Sequence, residues 1–131
     1  MVQIEGEGPF EEFMGIRSVE SADGRGRAVM PVRREFLQGA GVVQGGLIVT
    51  LADHTIYLAV RSLTKEDEGS VTVELKVNFI APASSGELTA EAVVVSRGRR
   101  IVVSDVEVHD GSGTLIARGL CTSMVRKKRR G

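Results

Sequence analysis

Residues 46–63 read GLIVTLADHTIYLAVRSL and decide how the rest of the chain is arranged. The stretch contains no proline, and its apolar side chains would fall on nearly every face of a helix. A helix that is apolar all round is normally buried inside a domain. A single strand is the alternative, but a length of about 18 residues is too great for a typical strand. The stretch therefore predicts one buried helix near the middle of the chain.

The segments on either side of this helix carry the signals of strands. Upstream, residues 13–33 contain two short β-like stretches around a turn at 23–26. Downstream, apolar and polar residues alternate from Val71 to Phe79, with the period of a strand. Four strands are predicted after the helix, at 71–79, 87–96, 101–109 and 114–125. The order β-β-α-β-β-β-β predicts an α+β fold in which one long antiparallel sheet wraps around a central buried helix.

Length and composition indicate a single domain. The chain has 131 residues, of which 42% are hydrophobic, and this is enough for one core. We expect a loose lead-in at 1–12, the domain at 13–125 and a basic tail at 126–131. Seventeen basic and seventeen acidic residues give a net charge of zero, and aromatic residues are 4%. The chain has no net charge to attract nucleic acid and few aromatic side chains on which bases could stack, so no nucleic acid partner is expected.

The compartment is predicted from what the sequence contains at its ends and in its apolar runs. The acidic N-terminal residues do not resemble a signal peptide. The longest apolar run, around 45–60, is interrupted by Asp53 and His54 and is too short to span a bilayer. A single cysteine, Cys121, forms no intrachain disulfide and suits a reducing compartment. We therefore expect a cytoplasmic protein without a membrane partner.

Three segments together resemble a known family. They are QGGLIVTLAD at 44–53, VTVELKVNFIAPASSGELTAEAVVVSRGRR at 71–100 and LIARGLCTSM at 115–124. Over roughly residues 14–125 the chain is similar to the hot-dog fold acyl-CoA thioesterases of the phenylacetate-degradation type. The resemblance implies a hot-dog fold, hydrolysis of an acyl-CoA substrate without a cofactor, and a homo-oligomer that is a dimer or a dimer of dimers.

Asp53 is the most informative residue of the predicted helix. Its neighbours are apolar, and an ionised carboxylate among them costs several kcal/mol unless it is paired or faces a polar cleft. One interpretation is a narrow exposed stripe on the helix. The other is a carboxylate in a half-buried cleft that acts as a general base. The resemblance implies that Asp53 is the catalytic acidic residue, as general base or as nucleophile.

Gly45 and Gly46 stand where the helix begins. The free N–H groups and the positive end of the helix dipole favour a developing negative charge at such a position. The pair either lets the loop turn and the helix pack closely, or forms an oxyanion hole. The resemblance implies that the Gly45 N–H polarises the thioester carbonyl.

The spacing between Gly45 and Asp53 points to a dimer. Eight residues along a helix span about 12 Å, whereas reacting atoms meet at roughly 3–3.5 Å. One chain therefore does not easily supply both groups to one carbonyl. A two-fold dimer with antiparallel helices places Gly45 of one chain opposite Asp53 of the other.

Three further site residues follow from the resemblance. Gln44 and Gln38 stand where the family usually has His and Asn, and a Gln amide still donates a hydrogen bond to a carbonyl oxygen. Thr72 matches the Ser or Thr that positions the attacking water beside the carboxylate. As a lone residue, Thr72 is also simply a good strand former.

Arg97, Arg99 and Arg100 cluster at a predicted turn. They are either a solvated hairpin tip or a clamp for the phosphates of coenzyme A, for which guanidinium groups are suited. In the related thioesterases, basic residues near this turn often lie at the mouth of the substrate tunnel.

The remaining reactive side chains are interpreted as structural. His54 and His109 are expected to be solvated or hydrogen-bonded, and Cys121 to pack within the last strand. With one cysteine and no paired histidines, no metal site is expected. Two alternatives to a thioesterase remain: a hot-dog protein that binds acyl-CoA without cleaving it, and a hot-dog dehydratase, which normally relies on a histidine.

Overall fold

The computed structural model of the chain describes residues 6–129. Its helices and strands are α1 (Pro9–Met14), β1 (Arg17–Ala22), β2 (Arg25–Pro31), a 3-10 helix (Arg34–Phe36), α2 (Gly45–Arg61), β3 (Glu68–Phe79), β4 (Glu87–Arg97), β5 (Ile101–His109) and β6 (Leu115–Lys127). The predicted order of two strands, a long helix and four strands is confirmed.

The six strands form one antiparallel sheet in the order β1-β2-β4-β5-β6-β3. Helix α2 packs across this sheet, chiefly against β2, β4 and β5. The predicted α+β hot-dog architecture is confirmed. After α2 the chain crosses to the far side of the sheet, so that β3 lies beside β6 and forms one edge while β1 forms the other.

Helix α2 is held in place by the apolar side that it turns toward the sheet. Leu51, Ala52 and Ala59 are fully buried there. The helix also approaches β2 very closely at Gly26, because a Cβ at that position would lie 2.4 Å from the Thr55 carbonyl oxygen. Sheet and helix therefore meet backbone to backbone at this point, which fixes their separation.

Strand β3 contains a bulge, although its sequence alternates regularly. Thr72 pairs with Ser123 and Glu74 pairs with Thr122, which leaves Val73 as an extra residue. The alternation of inward and outward side chains consequently changes phase at Val73. Thr72 turns toward α2 on one side of the bulge, and Leu75 packs against the core on the other.

The N-terminal segment differs from the expected loose lead-in. Residues 9–14 form α1, which starts after Gly8 with Pro9 in its first turn and ends at Gly15. Proline suits the first turn of a helix, and Gly15 adopts the left-handed conformation (φ 76°) common after a helix end. Residues 1–5 of the expected lead-in, and residues 130–131 of the expected tail, lie outside the described residues.

Two element boundaries also differ from the expectation. Helix α2 begins one residue earlier than predicted and ends at Arg61. Strand β3 begins at Glu68, three residues before the predicted start at Val71. Within residues 6–129, no helix is long and apolar enough to cross a membrane.

Candidate functional site

A cavity of about 660 Å³ lies beside α2. Its walls come from the N-terminal segment, β1, α2, β3 and β6, and Asp53 is part of its lining. A volume of this size falls within the range of about 300–1,000 Å³ that is usual for small-ligand sites. Asp53 therefore lines this cavity as a half-buried residue.

Thr72 and Asp53 form a direct pair in this cavity. The Thr72 hydroxyl Oγ1 donates to Asp53 Oδ1 over 2.7 Å. The bulge at Val73 makes this contact possible, because it sets the phase in which Thr72 faces the helix. The hydrogen bond occupies one carboxylate oxygen and orients the other, as the site of a general base requires. Sequence reasoning predicted these two residues, and the structure brings them together.

The other predicted group of residues lies apart from this cavity. Gly45, Gln44 and Gln38 do not contribute to its lining. Gly45 lies against the ring of Phe79, since a Cβ at Gly45 would be 3.1 Å from the ring carbon Cζ. Within one chain, the start of α2 and Asp53 in its middle therefore lie in separate surroundings. This agrees with the distance expected from the spacing between Gly45 and Asp53.

The start of α2 leaves hydrogen-bonding groups available. Gln44 occupies the N-cap position, is exposed, and makes no side-chain hydrogen bond to the helix end. Its carbonyl accepts from the Leu47 and Ile48 amides. The amides of Gly45 and Gly46 precede these, in the part of a helix whose N–H groups have no acceptor within the helix.

Gln38 belongs to a separate tight loop before α2. Its amide donates to the Val42 carbonyl over 2.8 Å, and its carbonyl accepts from the Gly41 amide over 2.8 Å. Gly41 has φ 81°, so glycine is favoured in this loop for conformational reasons. The Gln38 side chain is exposed.

The three arginines at the β4–β5 turn divide into two kinds. Arg97 donates to the carbonyls of Gly98 and Arg99 and lies 3.9 Å from a carboxylate oxygen of Glu68. It therefore stabilises its own turn and links it to the start of β3. Arg99 and Arg100 are exposed.

His54 forms a polar cluster that sequence reasoning missed. Its Nε2 lies 2.8 Å from Ser18 Oγ and 3.6 Å from Glu7 Oε2, and its Nδ1 lies 3.6 Å from Glu11 Oε1. All four residues line the cavity that contains Asp53. The only signal in the sequence was the spacing of Glu7 and Glu11, which are one helical turn apart.

The cluster contains Ser, His and Glu but is not arranged for nucleophilic catalysis. The Ser18 hydroxyl donates to Glu7 Oε2 over 3.1 Å. With its proton on this carboxylate, the Ser18 oxygen is left to accept from His54 Nε2 over 2.8 Å. A serine nucleophile requires the opposite direction, with the imidazole accepting the hydroxyl proton.

Cys121 is a buried thiol on β6 near the Asp53–Thr72 pair. Burial raises its pKa, the negative charge of Asp53 adds to this, and hydrogen bonds from Ser123 and Thr72 oppose it. A raised pKa keeps the sulfur protonated and unreactive. Cys121 is therefore a packing residue, as predicted.

A metal centre finds no support in the described part of the chain. Within it, no group of three or more His, Cys, Asp or Glu side chains is placed to hold a metal ion. His109 lies 3.7 Å from a Glu107 oxygen on its own strand.

Comparison with known proteins gives one consistent result. A model of the thioesterase superfamily matches residues 40–117, which is more than half of the chain. Human acyl-coenzyme A thioesterase 13 is 30% identical over 113 residues, covering 84% of this chain and 80% of that protein. The 1,4-dihydroxy-2-naphthoyl-CoA hydrolase of Listeria monocytogenes is 28% identical over 120 residues, covering 92% of this chain and 98% of that protein.

A solved structure shares the architecture. The E. coli protein from the phenylacetic acid degradation operon superposes with a TM-score of 0.83 at 25% identity. The match covers 95% of this chain and 86% of that chain.

Proposed function

The chain belongs to the thioesterase superfamily, and on that premise we propose that it hydrolyses acyl-CoA thioesters to a free acid and coenzyme A. The resemblance noted in the sequence is confirmed by the family match. Relatives of similar length are named as hydrolases of acyl-CoA compounds. The observation that carries the proposal is the half-buried Asp53 carboxylate, hydrogen-bonded to Thr72 in a cavity large enough for a substrate.

Asp53 acts on water in this proposal. The carboxylate removes a proton as the water oxygen bonds to the thioester carbonyl carbon, and Thr72 holds the carboxylate in the orientation that this requires. The tetrahedral intermediate then releases the sulfur, and the thiolate of coenzyme A takes up the proton. Direct attack by Asp53, followed by hydrolysis of the resulting anhydride, is the alternative with the same products.

The oxyanion donor comes from a second copy of the chain. Gly45 N–H, with the Gln44 amide beside it, stabilises the carbonyl oxygen as it becomes negative. Both lie outside the cavity of their own chain, so each is assigned to the site of the partner. Gln38, in its separate loop, is assigned the weaker role of supporting this end of the site.

The edge strand β3 is the surface through which we expect the two copies to pair. Its outward side chains Val71 and Val73 are 41% and 56% exposed. Met124 and Leu120 on the adjacent β6 extend the same apolar surface. An edge strand with this composition is normally covered by another chain. The homo-oligomer is thus a dimer through β3, or a dimer of such dimers.

The nucleotide end of coenzyme A is assigned to the β4–β5 turn. Arg99 and Arg100 are exposed and carry no acidic partner among the described contacts. Arg97 lies beside them but is engaged by Glu68 and its own turn. Arginine side chains bind phosphate oxygens in bidentate geometry, which suits the phosphates of this substrate.

The test is thiol release from a panel of short, medium and aryl acyl-CoAs, with Asp53→Ala and Thr72→Ala measured beside the wild type. Loss of the base is expected to lower kcat by about 10²–10⁴-fold. Thr72→Ser retains the hydroxyl and is the matched control, expected to keep most of the activity. Full activity in Asp53→Ala would overturn the assignment of the base. Binding of acyl-CoA with no thiol release by the wild type would favour a binding module instead.

A further inference from the structure

We propose that residues 7–14, here called the strap, form the outer wall of the acyl-binding cavity, and that Phe10 of the strap determines which acyl groups bind. His54 is the positioning residue that holds the strap in place. This inference rests on the proposed function, because it assigns the cavity to the acyl part of the substrate.

The strap and the candidate catalytic residue share one cavity. Glu7, Gly8, Phe10 and Glu11 of the strap contribute to its lining, as does Asp53. The strap is therefore placed to touch whatever is bound to the carbon on which Asp53 acts.

Polar contacts, more than packing, fasten the strap to the domain. Within α1, Met14 is the buried residue. Glu7 Oε1 accepts from the Ser18 amide over 2.5 Å, and His54 lies between the carboxylates of Glu7 and Glu11 at 3.6 Å from each. The His54 side chain is 13% exposed. Loss of the imidazole would therefore remove a contact from each of two strap carboxylates, and Ser18 would still hold Glu7.

Phe10 and Phe13 offer an internal contrast. Both lie on α1, and their exposed fractions are 50% and 75%. Phe10 lines the cavity, whereas Phe13 does not. An aromatic ring that is half-exposed at a cavity wall has apolar surface left for an apolar ligand to cover. Phe13 has comparable chemistry without access to the ligand, so it is the matched control.

Part of the cavity wall is apolar and suits an acyl chain. Ile16, Ile56 and Leu58 contribute to the same cavity as Phe10. These three side chains are themselves buried, so the apolar surface open to a ligand is mainly that of Phe10 and Tyr57, which are 50% and 42% exposed. An acyl chain that covers this surface removes more apolar area from water with each added methylene. The ligand class that fits is thus a medium-length or aryl acyl group rather than acetyl.

The experiment measures the dissociation constants of octanoyl-CoA and acetyl-CoA by calorimetry, in an Asp53→Ala background where hydrolysis is slow. Phe10→Ala is expected to reduce the preference for octanoyl-CoA over acetyl-CoA by about 10-fold or more. Phe13→Ala is expected to leave this preference unchanged. An unchanged preference in Phe10→Ala, or an equal loss in Phe13→Ala, would overturn the role of Phe10.

A double-mutant cycle tests the positioning role of His54. His54→Ala should reduce the same preference when Phe10 is present but not in the Phe10→Ala background, since His54 acts by holding the strap that carries Phe10. His54→Gln, which retains a donor for a strap carboxylate, should recover part of the preference, and Glu12→Gln should behave as wild type. An equal effect of His54→Ala in both backgrounds would mean that His54 acts without the strap.

Failure of the inference is distinguishable from failure of the proposed function. The binding preference is measured without turnover, so it is read whether or not the wild type releases thiol. If thiol release depends on Asp53 but the binding preference does not depend on Phe10, the proposed thioesterase function stands. The strap is then not the wall that contacts the acyl group.

Discussion

Strands β5 and β3 carry the same alternating pattern but meet different surroundings. In β5, the inward side chains of Val102, Val106 and Val108 are almost completely buried beneath α2. In β3, Val71 and Val73 are about half exposed. Strand β5 has a neighbour on each side, β4 and β6, whereas β3 has only β6 among the described strands.

This difference separates two uses of apolar residues. The valines of β5 stabilise the chain by itself, because folding alone removes them from water. The valines of β3 remain in contact with water in the single chain, so their burial requires association with another surface. The same residue type therefore supports folding in one strand and, on our proposal, assembly in the other.

The largest expected effect is that of a carboxylate inside β5. Val102→Asp places a charge in a fully buried position without a partner, at a cost of several kcal/mol. Total stabilities are only about 5–15 kcal/mol, so we expect the variant not to fold. Circular dichroism and thermal melting measure this. A cooperative melt near the wild-type temperature would remove the contrast between the strands.

The same substitution in β3 should have a different outcome. Val73→Asp is expected to fold, because the position is already exposed. Light scattering should show half the wild-type mass, and thiol release should fall by about 10²–10³-fold, as expected when an oxyanion donor is lost. Val95→Asp, at an exposed position on β4, is the control and should retain mass and activity. An unchanged mass in Val73→Asp would contradict pairing through β3.

A smaller effect is expected where β3 is attached to β6. A Cβ at Gly119 would lie 2.6 Å from the Lys76 carbonyl oxygen of β3. Gly119→Ala should therefore force the two strands apart and lower the free energy of unfolding by about 1–3 kcal/mol. Urea denaturation measures this, with Gly46→Ala as the control, because a Cβ there meets nothing within 4 Å. Equal midpoints for the two variants would show that the edge yields without cost.

The smallest effect is expected at the turn that joins β5 to β6. No such turn joins β3 to its neighbour β6. The pKa of Asp110 is lowered, first by the hydrogen bond from the Ser112 hydroxyl and then by the Thr114 amide. A lowered pKa in the folded state stabilises it above the ordinary value of 3.8, and this contribution is lost as the pH falls through the lowered pKa. Asp110→Ala should thus melt slightly lower than wild type at pH 7, with the difference shrinking in acid. A difference independent of pH would assign the effect to something other than this carboxylate.

The sequence was sufficient for the parts of the fold that depend on pattern and length. The apolar stretch around Asp53 predicted α2, and alternation predicted the strands. The bulge at Val73 was not predictable, because the alternation from Val71 to Phe79 is unbroken in the sequence. Strand register is decided by pairing with β6, and this information lies elsewhere in the chain.

The candidate site was predictable in its centre and not at its wall. Asp53 and Thr72 were found because a carboxylate in an apolar helix and a family pattern agree, and they form a hydrogen bond. The contact of His54 with Glu7 and Glu11 joins residues more than 40 positions apart in the chain. No local pattern encodes such a contact. The catalytic roles of Asp53 and Thr72, like those of Gly45, Gln44, Gln38 and the arginines, remain predictions.

The bulge also divides β3 into two halves, in each of which the side chains alternate with their own phase. Before Val73, side chains in one phase face the cavity; after it, side chains in the other phase face the core. Substitutions in either half can accumulate without disturbing the other half, because each half keeps its own phase. If all of the residues of β3 were instead paired with β6 in regular register, without the bulge, either the Thr72 hydroxyl or the core side chains would turn to the wrong face. The feature that this strand must conserve is therefore the shift in register at Val73, more than the identity of its residues.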